Sequence, residues 1–296
     1  MGQDILVSIL VASYNSGKYI LDLLESIKEQ TYRRIELVIA DDASKDDSIS
    51  IVEKWLETNQ QRFERVEILA PKENHGTSYN MNQGLQKCNG KYIKIIAADD
   101  MLLPTCIEDC VNVCEEQSWE VVIGDVQRVE DDGKTLSAFS EDVQAKKAFY
   151  NADAKEQYRQ LLKQNSVTAP AAFYAKEFLV RYKGFDERFG LIEDYPFWLK
   201  VTSDGVKLNY LDKKIVLYRM SSTSVAFAEK AVQIFNEKAS RNSRDILYKL
   251  RFKGLLKNKE YRILLRNMRR FFIRDLVILC GNNRKNLLCR LFVRFE

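Results

Sequence analysis

Histidine is nearly missing from this chain. His75 is the only one in 296 residues and sits in a polar stretch that reads as a solvated loop. A Ser-His-Asp hydrolase or a histidine-rich metal centre therefore has no well-placed imidazole to use. No Cys-X-X-Cys occurs either. Of six cysteines, Cys106, Cys110 and Cys114 recur every fourth residue, which places them on one helical stripe. They read as small apolar side chains on a helix's inner face, not as zinc ligands. Long apolar runs are also lacking: none approaches the roughly 18–20 residues of a membrane span. The opening MGQDILVSIL has an acid at Asp4 and no basic lead-in, so no secretory leader is expected. Reduced thiols without a leader fit a cytoplasmic enzyme.

What is present is enough for a real core, with 46% of residues hydrophobic, and the 30% charged is ordinary for a soluble protein. The net charge of +4 hides an asymmetry. From Arg241 to Glu296 there are 16 Lys/Arg and 4 Asp/Glu, a net of +12, which leaves −8 for the rest. The two parts are expected to face different partners.

Along the chain, ILVSILVAS (5–13) and IELVIADD (35–42) are nearly all apolar, as strands buried on both faces should be. VEILAP and KYIKIIAADD follow, and segments of helical period separate the four: SGKYILDLLESIKEQ, SKDDSISIVEKWLE and GTSYNMNQGLQKC. PTCIEDCVNVCEEQ begins a further helix at its proline. This alternation predicts an α/β fold with a doubly wound, parallel sheet. In such sheets ligands bind beyond the carboxyl ends of the strands, and SYN, DDAS and AADD all fall there. KYIKIIAADD (91–100) poses the sharpest question, since a buried strand ends on two adjacent carboxylates that repel each other. A divalent cation would answer it. Beyond Asp125 the alternation weakens. A hairpin is expected through Asp132-Gly133, a helix over 148–164 and a return strand in APAAFYAKEF. A short helix follows in DYPFWLKVTSDG, with VKLNYL and KKIVLYRM as antiparallel partners.

VSILVASYNSGKYI, ELVIADDASKDDS, ENHGTSYNMNQGLQKCNGKYI, AADDMLLP, KGFDERFG and IEDYPFWLK stand in the order found in family 2 glycosyltransferases, and from about Ile5 to Ser224 the chain resembles that family. The resemblance implies the GT-A fold: a Rossmann-like, mixed, mostly parallel sheet flanked by helices. It also implies inverting transfer of a sugar from a nucleoside diphosphate donor, usually UDP-linked, to a hydroxyl. Such chemistry needs stabilisation of a diphosphate leaving group, a general base and in-line positioning.

On the resemblance, Asp100 binds Mn²⁺ or Mg²⁺, and Asp99 the ribose or the metal. Asp42 accepts the uracil N3–H, with Asp41 near the ribose. Ala12, Ser13, Tyr14 and Asn15 line the base pocket, with Asn82 and Arg219 on the donor. Asp194 is the base, and Glu193 binds or orients the acceptor. The chain departs from the family pattern at Ala97, Met81 and Ser221, which stand where an acid, an arginine and a histidine are common. Weak metal and donor contacts are the expected result. The Gln-X-X-Arg-Trp motif of processive synthases is absent.

The basic tail interleaves Leu, Ile and Phe with Arg and Lys at helical spacing, the pattern of a membrane-surface segment. No nucleic-acid reading motif accompanies it. The expected organisation is a catalytic domain over 1–226, with nucleotide-binding (1–125) and acceptor-binding (126–226) halves, and a helical basic extension over 227–296. The whole is read as a cytoplasmic glycosyltransferase, peripheral on the inner membrane face, that extends a lipid-linked glycan acceptor in bacterial polysaccharide synthesis. A protein or teichoic acid acceptor is the runner-up. A weakly active sugar-nucleotide-binding scaffold is the reading from another class.

Overall fold

The computed structural model describes residues 4–131, 143–220 and 233–294. Its first half alternates strands and helices: β1 (Val7–Ser13), α1 (Ile20–Lys28), β2 (Ile35–Asp41), α2 (Ser48–Asn59), β3 (Arg65–Leu69), α3 (Thr77–Lys87) and β4 (Tyr92–Ala97). Then come β5 (Met101–Leu102), α4 (Cys106–Gln117), β6 (Val121–Val129), α5 (Val143–Asn151), α6 (Ala154–Leu161), β7 (Ala172–Ala175), α7 (Lys176–Arg181), α8 (Asp194–Ser203) and β8 (Asn209–Arg219). The C-terminal part is helical: α9 (Glu237–Ile246), a π turn (Leu247–Arg251), α10 (Phe252–Lys257), α11 (Tyr261–Leu279) and α12 (Leu287–Val293).

The strands form one sheet in the order β3-β2-β1-β4-β7-β6-β8-β5. β3, β2, β1 and β4 are mutually parallel, whereas β7 runs antiparallel to both β4 and β6. Every residue of β2 is buried, which explains its largely apolar sequence, since helices cover both faces; the buried Glu36 within it accepts from Ser8, Asn89 and Gly90. Register then fixes the site, because Ser13 lies opposite Asp41 and Ala12 opposite Ala97. Three predicted ligand-bearing termini thus end side by side. Gly84 lets α3 sit directly on these strands, since a Cβ there would come within 2.3 Å of Leu10 Cδ1.

Lys94 breaks the apolar pattern at the middle of β4. It is fully buried, and its ammonium donates to the carbonyls of Pro170 and Ala172, which ties β4 to the segment entering β7. Cys106, Cys110 and Cys114 are free and buried, as their spacing on α4 predicts.

Two expectations need revision. VKLNYL and KKIVLYRM are not two partners: residues 209–219 form the single strand β8, parallel to β6 and antiparallel to β5. The exposed Asp212-Lys213-Lys214 stretch imitates a turn in sequence, but register shifts opposite Ile123–Val126 absorb it without reversing the chain. The helix expected over 148–164 is broken between Asn151 and Ala154, where the Asp153 side chain caps α6 by accepting from the Glu156 amide. The Asp132-Gly133 turn, Ser221 and the boundary at 226 lie outside the described residues. The C-terminal helices are not an isolated tail, for Ile246, Leu247, Leu255, Leu264 and Phe271 join the main core. Arg251 is buried and donates to the carbonyls of Leu162 and Lys163 at 2.8 and 2.7 Å, which docks this part onto the end of α6. Among the described residues, no helix is long and apolar enough to cross a membrane.

Candidate active site

The ends of β1 and β2 are stitched together by polar side chains. Asn15 and Ala43 adopt left-handed φ values of 50° and 62°; for alanine this costs of order 1 kcal/mol or more and is kept only where the surroundings enforce it. Ser44 provides part of that enforcement. Its hydroxyl accepts the Asn15 amide at 2.7 Å and donates to Asp41, while its own amide donates to the other Asp41 oxygen. The Asn15 side chain in turn accepts the Lys45 amide. Tyr14, half exposed, is the open member of the first loop. Asp41 is buried, and each of its oxygens accepts one hydrogen bond from Ser44, so it organises the loop and keeps acceptor capacity for the expected ribose. Asp42, also buried, accepts the backbone amides of His75 and Gly76 at 2.8 Å each. One lone pair per oxygen is thereby used, leaving acceptor capacity in each.

That grip carries across to the acceptor side. The Gly190 carbonyl lies against Gly76 and accepts the Ser78 amide. Asn82, expected on the donor, is instead a brace for this neighbouring segment: its amide donates to the Phe185 carbonyl and to Glu187, and its oxygen accepts the Phe185 amide. Met81 is buried in the core, so packing explains a non-polar residue at that position.

At the end of β4, Asp100 is almost wholly buried. Its Oδ1 accepts the Arg219 amide at 2.9 Å, while Oδ2 is buried without a partner. Loss of water, with Asp99 beside it, pushes this carboxyl well above the usual range. Lys94 and Arg219 pull the other way. Arg219 does not reach for donor phosphate: its guanidinium donates to the carbonyls of Asp99 and Asp131 and to the Asp22 carboxylate, and it is 3% exposed. It clamps the Asp99–Asp100 turn. No three-ligand cluster of acids, cysteines or histidine exists among the described residues. An orphaned carboxylate oxygen next to a second acid nevertheless fits a divalent cation that brings its remaining ligands with it, as magnesium and manganese do on phosphates.

Glu193 and Asp194 stand at the start of α8. Both remain partly open to solvent, yet protein crowds around them, and this desolvation raises both carboxyls; Glu193, which also feels the Asp194 charge, is pushed up to about 8. Asn165 donates to Asp194 Oδ2 at 2.7 Å, which orients that carboxylate and favours its anion. Nothing in QNSVTAP marks Asn165 as a site residue. Tyr218 lies within electrostatic reach of both acidic pairs: burial raises its phenol to about 12, and the charges of Asp100, Asp99 and Asp194 add to the rise.

A pH test follows from Glu193. A carboxyl raised by folding binds its proton more tightly in the native state, so stability falls as pH climbs from the ordinary carboxylate range towards about 8. Glu193→Gln removes that loss. Its melting temperature relative to the parent is expected to rise at pH 8.5 and change little at pH 5; equal effects at both values would refute the shift.

The sheet order, with acidic strand ends on one edge, is the GT-A architecture. Residues 8–183 match Glycosyl transferase family 2, more than half of the chain, and the chain belongs to that family. GlyG of Streptococcus pneumoniae serotype 4 is 34% identical over 119 residues, which cover 40% of this chain and 38% of GlyG. An uncharacterized glycosyltransferase of Haemophilus influenzae is 27% identical over 245 residues, 81% of this chain and 72% of its own. The 1–349 portion of S. aureus TarS, in complex with UDP-GlcNAc, superposes with a TM-score of 0.62 at 20% identity, covering 90% of this chain and 73% of that one. The mannosyltransferase PcManGT of Pyrobaculum calidifontis, in complex with GDP-Man and Mn²⁺, gives 0.57 at 20% identity over 74% of this chain and 58% of its own. At such identities the two structures show a shared fold.

Proposed function

We propose that this protein transfers a sugar, with inversion, from a uridine diphosphate donor to a hydroxyl of a glycan acceptor. The observation that supports it most is the match of residues 8–183 to Glycosyl transferase family 2, with a buried, unpartnered Asp100 oxygen at the strand ends. Asp194 takes the acceptor's hydroxyl proton. The oxygen attacks the anomeric carbon on the face opposite the leaving group, and the carbon–oxygen bond to the diphosphate breaks, its electrons departing with the nucleoside diphosphate. Asn165 holds the base in orientation. Glu193, whose carboxyl burial pushes up to about 8, donates a hydrogen bond to the acceptor. Ser13, Tyr14 and Asn15 border the base pocket, and Asp42 reads the base with the acceptor capacity it retains. Asp100, with Asp99, would hold the divalent cation, which when bound neutralises charge on the diphosphate. The family membership and the UDP and UDP-GlcNAc complexes of TarS support the donor class.

The acceptor is read as lipid-linked, with the enzyme on the inner membrane face. Leu265, Phe272 and Leu279 are exposed along α11, and Leu287, Leu288 and Leu291 on α12, among arginines. This is the side-chain mixture that binds an anionic interface. A protein acceptor would not need that apolar face.

The test is thermal unfolding with a panel of nucleotides and nucleotide sugars, with and without Mn²⁺. A hundredfold excess over Kd corresponds to a rise of about 4 °C for a chain of this length. UDP compounds are expected to give it and to give more with Mn²⁺; a panel without effect defeats the donor assignment. Slow hydrolysis of the stabilising UDP-sugar separates a transferase from a scaffold that only binds it.

A further inference from the structure

Behind the carboxylate pair lies a cavity of about 390 Å³ whose walls come from two distant parts of the chain. Asn165, Ile192 and Tyr195 supply the catalytic side, and Arg266, Arg270 and Arg274 the other. The three arginines recur every fourth residue on α11, so successive turns direct them to one face. Lys163 and Arg251 also border the space, and among the described residues no Asp or Glu does. Some of this charge is already engaged: Lys163 pairs with Glu260 at 2.7 Å, Arg251 holds the carbonyls after α6, and Arg274 stacks 4.9 Å over the Phe235 ring. Arg270 also has a partner within the fold, and both it and Arg266 line the space while remaining exposed.

The cavity is not the donor site, which lies at the ends of β1, β2 and β4. It shares one wall with the proposed base, since Asn165 borders it and donates to Asp194. Its size suits a small-molecule moiety, and a row of guanidiniums is the chemistry that recognises phosphate by forked hydrogen bonds. We infer that this cavity holds the phosphate or diphosphate group of an anionic acceptor, so that the first sugar beyond that group presents its hydroxyl to Asp194. The inference rests on the transferase reading above and adds to it the acceptor's chemical class. It also gives the C-terminal helices a part in the site: α11 completes the acceptor pocket.

The test uses the full chain and inorganic pyrophosphate, titrated calorimetrically in metal-free buffer with UDP saturating the donor site. Three proteins are compared: the parent, R266A/R270A, and K257A/R262A, which loses the same charge from exposed positions not on the cavity wall. Pyrophosphate affinity is expected to fall at least tenfold in R266A/R270A and to stay within twofold in K257A/R262A. Equal affinity in all three overturns the assignment, as does displacement of UDP by pyrophosphate. A parallel arm with phosphatidylglycerol vesicles separates the sources of phosphate: vesicle binding that needs Arg266 and Arg270, without pyrophosphate binding, places the row on a membrane surface and overturns the cavity site. The UDP-induced thermal shift, read on the same samples, confirms that each variant is folded. If UDP gives no shift in the parent while pyrophosphate binds through Arg266 and Arg270, the donor reading fails and the anion cavity stands.

Discussion

Asp194→Asn is expected to lower sugar transfer by about 10²–10⁴-fold, the usual contribution of a positioned general base, while UDP still raises the melting temperature as in the parent. Asparagine keeps the shape and can still accept the Asn165 amide hydrogen bond, so the start of α8 should survive. What disappears is the capacity to take a proton. The loss should therefore appear in kcat, with little change in the KM for the donor. Glu193→Gln provides the contrast. Its carboxyl is held protonated to about pH 8, and glutamine preserves a hydrogen-bond donor, so a much smaller loss is expected. If the two variants exchange behaviour, the roles of the pair are reversed. If both retain full rate, the base lies elsewhere.

Asp100→Asn should remove the Mn²⁺-dependent part of UDP stabilisation and slow transfer by about 10²–10³-fold, because a cation on the leaving group supplies several kcal/mol. The substitution keeps an oxygen for the Arg219 amide and replaces only the unpartnered Oδ2. A pH signature accompanies it. Asp100 is raised well above an ordinary carboxyl by burial and by Asp99, so protons compete with the cation and Mn²⁺-dependent stabilisation of the parent weakens as pH falls. In D100N this pH dependence should vanish with the metal effect. A variant that keeps its full Mn²⁺ response rules out Asp100 as the ligand.

Much of this architecture was legible in the sequence. Strands buried on both faces are written as apolar runs, and parallel connections bring their carboxyl ends together, so ILVSILVAS, IELVIADD and KYIKIIAADD could be read as neighbours before any coordinates. The acidic pairs and the helix at Asp194 were visible for the same reason. What escaped depends on contacts distant in sequence. Asn82 and Arg219 look like ligand groups by position, but their partners, Phe185 and Glu187 for one and Asp22, Asp99 and Asp131 for the other, are set by the folded loops. Lys94 is a polar residue at a core position, a signal that could have been caught. Asn165 carries no local pattern. The Asp212-Lys213-Lys214 stretch misled because an exposed bulge and a turn use the same polar residues. The arginine-lined cavity joins residues 163–195 to residues 243–274, a pairing that no periodicity encodes.

The buried ammonium of Lys94 has one further effect. Lys94, Arg128 and Arg219 provide the positive charge felt by Asp100 or Tyr218, and Lys94 and Arg219 aim their donors at main-chain oxygens and Asp22. Asp41, Asp42, Asp99, Asp100, Glu193 and Asp194 stand at the strand ends and the start of α8, and burial biases Asp100, Glu193 and Asp194 towards the neutral form. A doubly charged ion arriving with a polyanion would draw Asp100 into its charged form. On the proposed function, nucleotide and metal would then enter as a single neutralised package and release a proton as they bind.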